Sequence, residues 1–329
     1  MRCGWQWGIM GWLMLGVLPL YGADSKAPVF TDAKQAGLDY ELQGEYSGEI
    51  NTDEGKQKVG VQVIALGNGN FRAVGFIGGL PGDGWTRGGE MHMSEAKRDG
   101  DKITFSDGEI NATLTAGSLQ IDHGSQRVGE LAKVHRQSPT LGMAPPAGAL
   151  VLFDGKSTDH FENGQLVEND LLGATNCVSK QKFNDHSLHI EFRTPFMPES
   201  RGQARGNSGV YVQGRYEVQV LDSFGLEGKN NECGGIYSAS EPTVNMCFPP
   251  LAWQTYDIDF TAARYDESGK KTSNPRITVR HNGVVIHDNL EIAKSTPGYH
   301  AEGPGPDSLF LQNHGNPVVF RNVWVVEKK

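Results

Sequence analysis

Three short stretches in the C-terminal half set ionisable and amide side chains at every second position. In Leu188-His189-Ile190-Glu191-Phe192-Arg193 the apolar residues take one phase and His189, Glu191 and Arg193 the other. Tyr216-Glu217-Val218-Gln219-Val220 separates Glu217 and Gln219 from the valines, and Phe310-Leu311-Gln312-Asn313-His314 puts Gln312 and His314 on one side. Successive side chains of a strand point to opposite faces, so each stretch reads as a strand with one dry and one polar face. Such rows on neighbouring strands would form a polar strip on a curved sheet. Amides and carboxylates take paired hydrogen bonds from vicinal hydroxyls, and a guanidinium offers five fixed donors, so the strip suits a sugar. A solvated face would explain one such strand; three together favour a site.

The elements that must position these rows are strands throughout. Glycine supplies 43 of 329 residues, and charged residues only 21%. A helical bundle or coiled coil would be poor in glycine, and a polytopic membrane protein would need repeated apolar runs of about 20 residues. Thirty Lys and Arg stand against 39 Asp and Glu, and this net charge of −9 argues against a general grip on nucleic acid. Runs at 59–66, 70–77 and 117–121 read as strands broken by turn residues, so residues 24–137 have the pattern of a small β-sandwich or barrel. Trp85, in a glycine-rich loop, is expected to cover that half's core. Residues 138–149, with Pro139, Pro145 and Pro146, read as a semi-rigid linker. From 150 to 329 alternation returns, ending in a strand at 318–326, and two antiparallel sheets packed face to face are expected. Helical patterns are short, as near 262–265, which excludes crossover helices.

The first 23 residues have the layout of a secretory signal: Arg2, an uncharged run from Trp5 to Leu20, then small residues Gly22 and Ala23. A periplasmic or secreted protein is expected, with no integral span after signal removal. Cys3 would leave with the signal. Cys233 and Cys247, 14 positions apart, are expected to form a disulfide in an oxidising compartment, leaving Cys177 as a buried apolar residue.

Several motifs of the second half, in order, resemble the 3-keto-disaccharide hydrolase domain family of concanavalin A-like jelly rolls. They are Leu152-Phe153-Asp154-Gly155-Lys156-Ser157, Glu191-Phe192-Arg193, Asn207-Ser208-Gly209, the run 216–223 (YEVQVLDS), Gly234-Gly235-Ile236-Tyr237, Trp253-Gln254-Thr255-Tyr256, Asn282-Gly283, Leu311-Gln312-Asn313-His314-Gly315 and Phe320-Arg321-Asn322. Asn313 departs from the aspartate usual beside the histidine, and Gln254 from an asparagine. The first half lies outside the resemblance.

The resemblance implies an enzyme acting on a glycoside already oxidised at carbon 3 by another enzyme, an upstream glycoside 3-oxidase. The ketone acidifies the carbon-2 proton, a base removes it, and the enolate expels the group on carbon 1, with or without later addition of water. This route needs a base near neutral pKa, a cation for the enolate oxygen and an acid for the leaving group. His314 is the first choice for the base, with Glu217 and Glu191 as acid or metal ligand and Arg193 for the keto or enolate oxygen. Asn207, Gln219 and Gln312 would position hydroxyls, as would Arg321 unless it pairs with Asp222. A divalent cation such as Ca²⁺ could replace arginine as the enolate's partner. His281 reads as solvated at a hairpin, and His300 as able to reach the cleft from a loop. The competing reading is a non-catalytic glycan-binding jelly roll. The enzyme reading expects His314, Glu217, Glu191 and Arg193 to converge in one cleft.

Overall fold

A computed structural model describes residues 27–115 and 117–328; the expected export signal lies outside the described residues. The first half is one antiparallel sheet in the order Met91–Lys97, Asn70–Ile77, Gly55–Gly67, Gly44–Thr52, Gln126–Val134, Ser118–His123, Ile110–Thr115, Ile103–Asp107. Its two outer strands meet through side chains: Ser94 Oγ donates to Ser106 O at 2.9 Å, and His92 Nδ1 lies 3.1 Å from Asp107 Oδ2. The sheet thereby curls into a barrel. Tyr46, Val63, Phe71, Leu114, Leu119 and Leu131 fill it, and the short helix Gly37–Leu42 packs Leu42 against them at one end.

Residues 150–327 form the expected sandwich. One sheet runs Leu166–Val167, Leu171–Gly173, Val319–Glu327, His186–Arg193, Gln254–Thr261, Arg276–His281, Val284–Glu291. The other runs Phe161–Glu162, Cys177–Phe183, Asp307–Leu311, Ser208–Val212, Tyr216–Val220. Leu188, Ile190 and Phe192 from the first sheet meet Tyr216, Val218 and Val220 from the second in one dry core. The alternate residues must therefore face outward, and they face outward from different sheets. Near 262–265 a strand, Arg264–Tyr265, stands where a helical pattern was expected, paired with Lys271–Ser273.

The two halves are joined by apolar packing. Ile64, Val74, Phe76 and Trp85 belong to the core of the sandwich, so Trp85 covers the joint between the halves and not the barrel alone. Arginines tie the edges: Arg201 Nη2 donates to Leu66 O at 2.6 Å, and Arg87 Nη2 to Gly228 O at 2.7 Å and Pro242 O at 2.8 Å. Arg205 reaches Ala65 O at 3.3 Å with one nitrogen and holds Asp222 with Nε at 2.6 Å. Asp222 is thus the partner of Arg205, not of Arg321.

The disulfide expected between Cys233 and Cys247 is absent; both are free, neighbouring thiols in the sandwich core. The two thiols hydrogen-bond each other, and each has a further partner: Cys233 Sγ lies 3.2 Å from Tyr256 Oη, and Cys247 Sγ donates to Leu221 O at 3.5 Å. Burial pushes the Cys247 thiol well up, so it is inert as a nucleophile. Cys177 is buried and free, as expected.

The Arg205–Asp222 pair lies almost wholly out of solvent. Removing one partner of a buried pair strands the other charge. Arg205→Ala should therefore lower the unfolding free energy in urea titration by about 3–5 kcal/mol; a loss typical of a surface pair, below about 1 kcal/mol, would contradict this.

Candidate functional site

Inward packing of Tyr216, Val218 and Val220 sends Glu217 and Gln219 to the outer face of the five-stranded sheet. The neighbouring strand places Tyr211 opposite Glu217 and Gly209 opposite Gln219. Beyond it, the Gln312 N–H donates to Gly209 O at 3.0 Å, which sets Gln312 in the same row. Glu217, Gln219, Tyr211 and Gln312, together with Gln203, Asn207, Tyr237, Gly298 and His314, line a cleft of about 160 Å³. All of them belong to the second half.

Glu217 is 2% exposed. Its Oε2 accepts a hydrogen bond from the Tyr211 hydroxyl at 2.8 Å, and that hydroxyl accepts one from Gln312 Nε2 at 3.2 Å. Burial pushes the Glu217 carboxyl up to about 7, against the opposing effect of the Tyr211 hydrogen bond. Among the described residues no lysine or arginine lines the cleft to reverse that shift. Burial, with the adjacent carboxylate, also holds the Tyr211 phenol well above its ordinary range, so it stays a donor.

Two glycines allow this arrangement. A Cβ at Gly209 would lie 2.3 Å from Glu217 Oε1, and one at Gly298 would lie 2.2 Å from Tyr211 Oη. Asn207 is equally confined: its Nδ2 donates to Gln203 O at 2.8 Å, while its Oδ1 is buried without a partner. Gln219 Nε2 donates to Gln203 Oε1 at 3.1 Å. His314 stands exposed at the rim.

The row His189, Glu191, Arg193 lies on the outer face of the other sheet. Glu191 accepts hydrogen bonds from Arg321 Nε at 2.7 Å, Asn322 Nδ2 at 2.9 Å and the Gly142 N–H at 2.5 Å. Burial alone would raise its carboxyl; these donors and His189 overcome that and hold it at about 2. Arg321 lies over the Trp253 ring at 3.9 Å, and Arg193, 5.2 Å from the same ring, pairs with Glu168. The network fastens the segment expected to be a linker: Thr140 Oγ1 donates to Asp257 Oδ2 at 2.7 Å, and Asn322 Nδ2 to Met143 O at 3.0 Å. Segment 138–143 is a strap laid across this face, not a free spacer.

The family is decided by the residues of both clusters in their order along the chain. Residues 148–326 match the model of the 3-keto-alpha-glucoside-1,2-lyase-like domain. The chain belongs to that family. Among solved structures it is similar to a "putative glycosyl hydrolase" from Parabacteroides distasonis ATCC 8503, at 35% identity over 56% of this chain and 85% of that one, with a TM-score of 0.51. Two further structures described in the same words, from the same organism, share 18% and 21% identity, at TM-scores of 0.41 and 0.38, over 55% of this chain and 94% and 99% of theirs. No curated protein matches the chain.

The family's motifs sort into two groups. Those at Asn207, Glu217, Gln219, Tyr237, Gln312 and His314 build the cleft. Those at Asp154, Glu191, Arg193, Trp253 and Arg321 build a separate basin on the opposite face. The expected single cleft is corrected accordingly: Glu191, Arg193 and Arg321 cannot reach a substrate held by Glu217, because the sandwich core lies between the two faces. His281, expected in solvent, is buried and lies 2.9 Å from Gln254 Oε1, because its strand phase points it inward. His300 lies 2.9 Å from Asp307 Oδ2 and does not line the cleft.

Sequence reasoning missed Tyr211, Gln203 and Tyr237. Tyr211 was within reach, since it shares the phase of Gly209 and opposes Val210 and Val212. Gln203 and Tyr237 come from segments without alternation. Among the described residues no group of three or more His, Cys, Asp or Glu is placed to hold a metal ion.

Glu191 charges well below its ordinary value in the folded chain, so its contribution to stability is present above about pH 4.5 and fades as pH falls toward about 2. Glu191→Ala should lower stability at pH 7 by about 3 kcal/mol and expose segment 138–149 to proteolysis. A strap as resistant as that of the wild type would show that Glu191 does not hold it.

Proposed function

We propose that the protein cleaves 3-keto-glycosides by abstraction of the carbon-2 proton and elimination at carbon 1, in the periplasm or outside the cell. The observation that carries this reading is a lone buried carboxyl poised at about 7 in a cleft lined by no second carboxylate. Ordinary glycosidases need two carboxyl groups about 5.5 Å or 6.5–9.5 Å apart. Among the described residues Glu217 is the one carboxylate in the cleft's lining. A single base near neutrality is what removal of a proton beside a ketone requires.

Glu217 in its ionised form takes the carbon-2 proton. The electron pair released becomes the carbon 1–carbon 2 double bond as the bond from carbon 1 to the leaving oxygen breaks. That oxygen takes up a proton at the rim, where His314 stands. Water added across the double bond completes a net hydrolysis; without it the unsaturated keto-sugar leaves. The base role thus passes from His314 to Glu217, because only Glu217 is shielded from solvent and held by a fixed donor. Tyr211 fixes the carboxylate, and Asn207, Gln219 and Gln312 meet the sugar hydroxyls. An enzyme that oxidises the 3-hydroxyl of glycosides must supply the substrate.

A glycan-binding module has no use for a carboxyl kept half-protonated at neutral pH, because the shift costs stability. The folded carboxyl ionises at about 7 against 4.5 when free. Its penalty therefore grows as pH rises from about 4.5 to 7 and is constant above. Glu217→Gln should stabilise the fold by roughly 3 kcal/mol at pH 8, and by much less at pH 4.

With a chromogenic 3-keto-glucoside, Glu217→Gln should lower aglycone release by at least about 10²-fold, while Arg193→Ala should change it little. kcat/KM should rise with pH up to about 7 and then level, and Tyr211→Phe, which removes the opposing hydrogen bond, should move that midpoint upward. Equal release from the unoxidised glucoside, or full turnover by Glu217→Gln, would overturn the reading.

A further inference from the structure

The barrel of the first half is filled at the helix end and hollow at the other. Val61, Ala73, Gly75, Phe105, Ala112 and Ile121 line a cavity of about 160 Å³ whose accessible surface is almost wholly apolar. An apolar cavity of ~150 Å³ stays dry and takes up a molecule the size of benzene. At its mouth Met93 and Ile110 are 55% and 39% exposed, although both are large and apolar.

Gly75 gives the hollow a second, independent mark. It sits mid-strand opposite His92, between Val74 and Phe76, which pack outward onto the sandwich. A Cβ there would meet nothing nearer than His92 O at 3.8 Å, and its backbone is not left-handed. Glycine weakens a strand, and here neither close approach nor a turn requires it. Its effect is to keep the cavity open.

The lip decides the ligand's polarity. His92 lies 3.1 Å from Asp107 and 3.0 Å from Glu90, closing the seam between the outer strands. Of the two carboxylates only Asp107 lines the cavity; a ligand carboxylate would compete with it for His92 and be repelled by it, whereas a hydroxyl could donate to it. We infer that the barrel end is a binding site for a small neutral molecule with one aromatic ring and a hydroxyl group. This site is independent of the cleft on the sandwich and of the chemistry assigned there.

Benzyl alcohol titrated into the full chain should give saturable shifts of the Met93 and Ile110 methyl resonances, and benzoate should not. Gly75→Leu fills the hollow without strain, so it should abolish those shifts and raise the Tm. If that variant fails to fold, Ala112→Leu fills the same space from the facing strand. Unsaturable or absent shifts, equal binding by benzoate, or undiminished binding in a folded, filled variant would overturn the inference. So would sedimentation showing the mouth covered by a second copy that Ile110→Glu releases.

Discussion

A carboxyl group held out of water with no cation beside it is the constraint on which the rest of the site depends. Glu217 is placed there by strand phase, since the valines on either side must enter the core. Desolvation then sets its proton affinity, and one phenol hydrogen bond fixes its orientation. The supporting positions follow from those demands: glycine at 209 and 298 gives the carboxylate and phenol room, and Gln312 holds the phenol from the far side. A lysine or arginine in the same cleft would hold the carboxylate ionised and remove its use as a proton acceptor near neutrality.

The opposite face shows what the same residue types do when their demands are met. Glu191 is as buried as Glu217, yet four donors surround it and its charge is permanent. It fastens the strap that leads from barrel to sandwich. Arg321 and Arg193, both over the Trp253 ring, brace that fastening. One sandwich thus carries an unsatisfied carboxyl on the face with the cleft and a satisfied one on the face that joins the halves.

Much of this was legible in the sequence. Period-two alternation identified the strands and the outward side chains, and the glycine content excluded helical architectures. The rows at Glu217, Gln219 and Gln312 lie together because their segments are neighbours in one sheet. The row at Glu191 was grouped with them wrongly. Alternation tells which way a side chain points relative to its own strand, but not to which of two sheets that strand belongs. Sheet membership is set by long-range pairing: strand His186–Arg193 lies between Gln254–Thr261 and Val319–Glu327. The disulfide failed for a related reason, since spacing of two cysteines says nothing of the local acceptors that satisfy each thiol. Tyr211 is not singled out by the sequence because tyrosine suits either face, and only its phase distinguishes it.

The central claim concerns one proton, and it is measured most directly by following the Glu217 side-chain carboxyl with ¹³C NMR across a pH titration of the folded protein. The account requires its midpoint near 7 and a further rise on replacing Tyr211 by phenylalanine. A midpoint near 4.5, the value of a free glutamate, would mean that water or a cation reaches the group, and the base at the heart of the cleft would be lost.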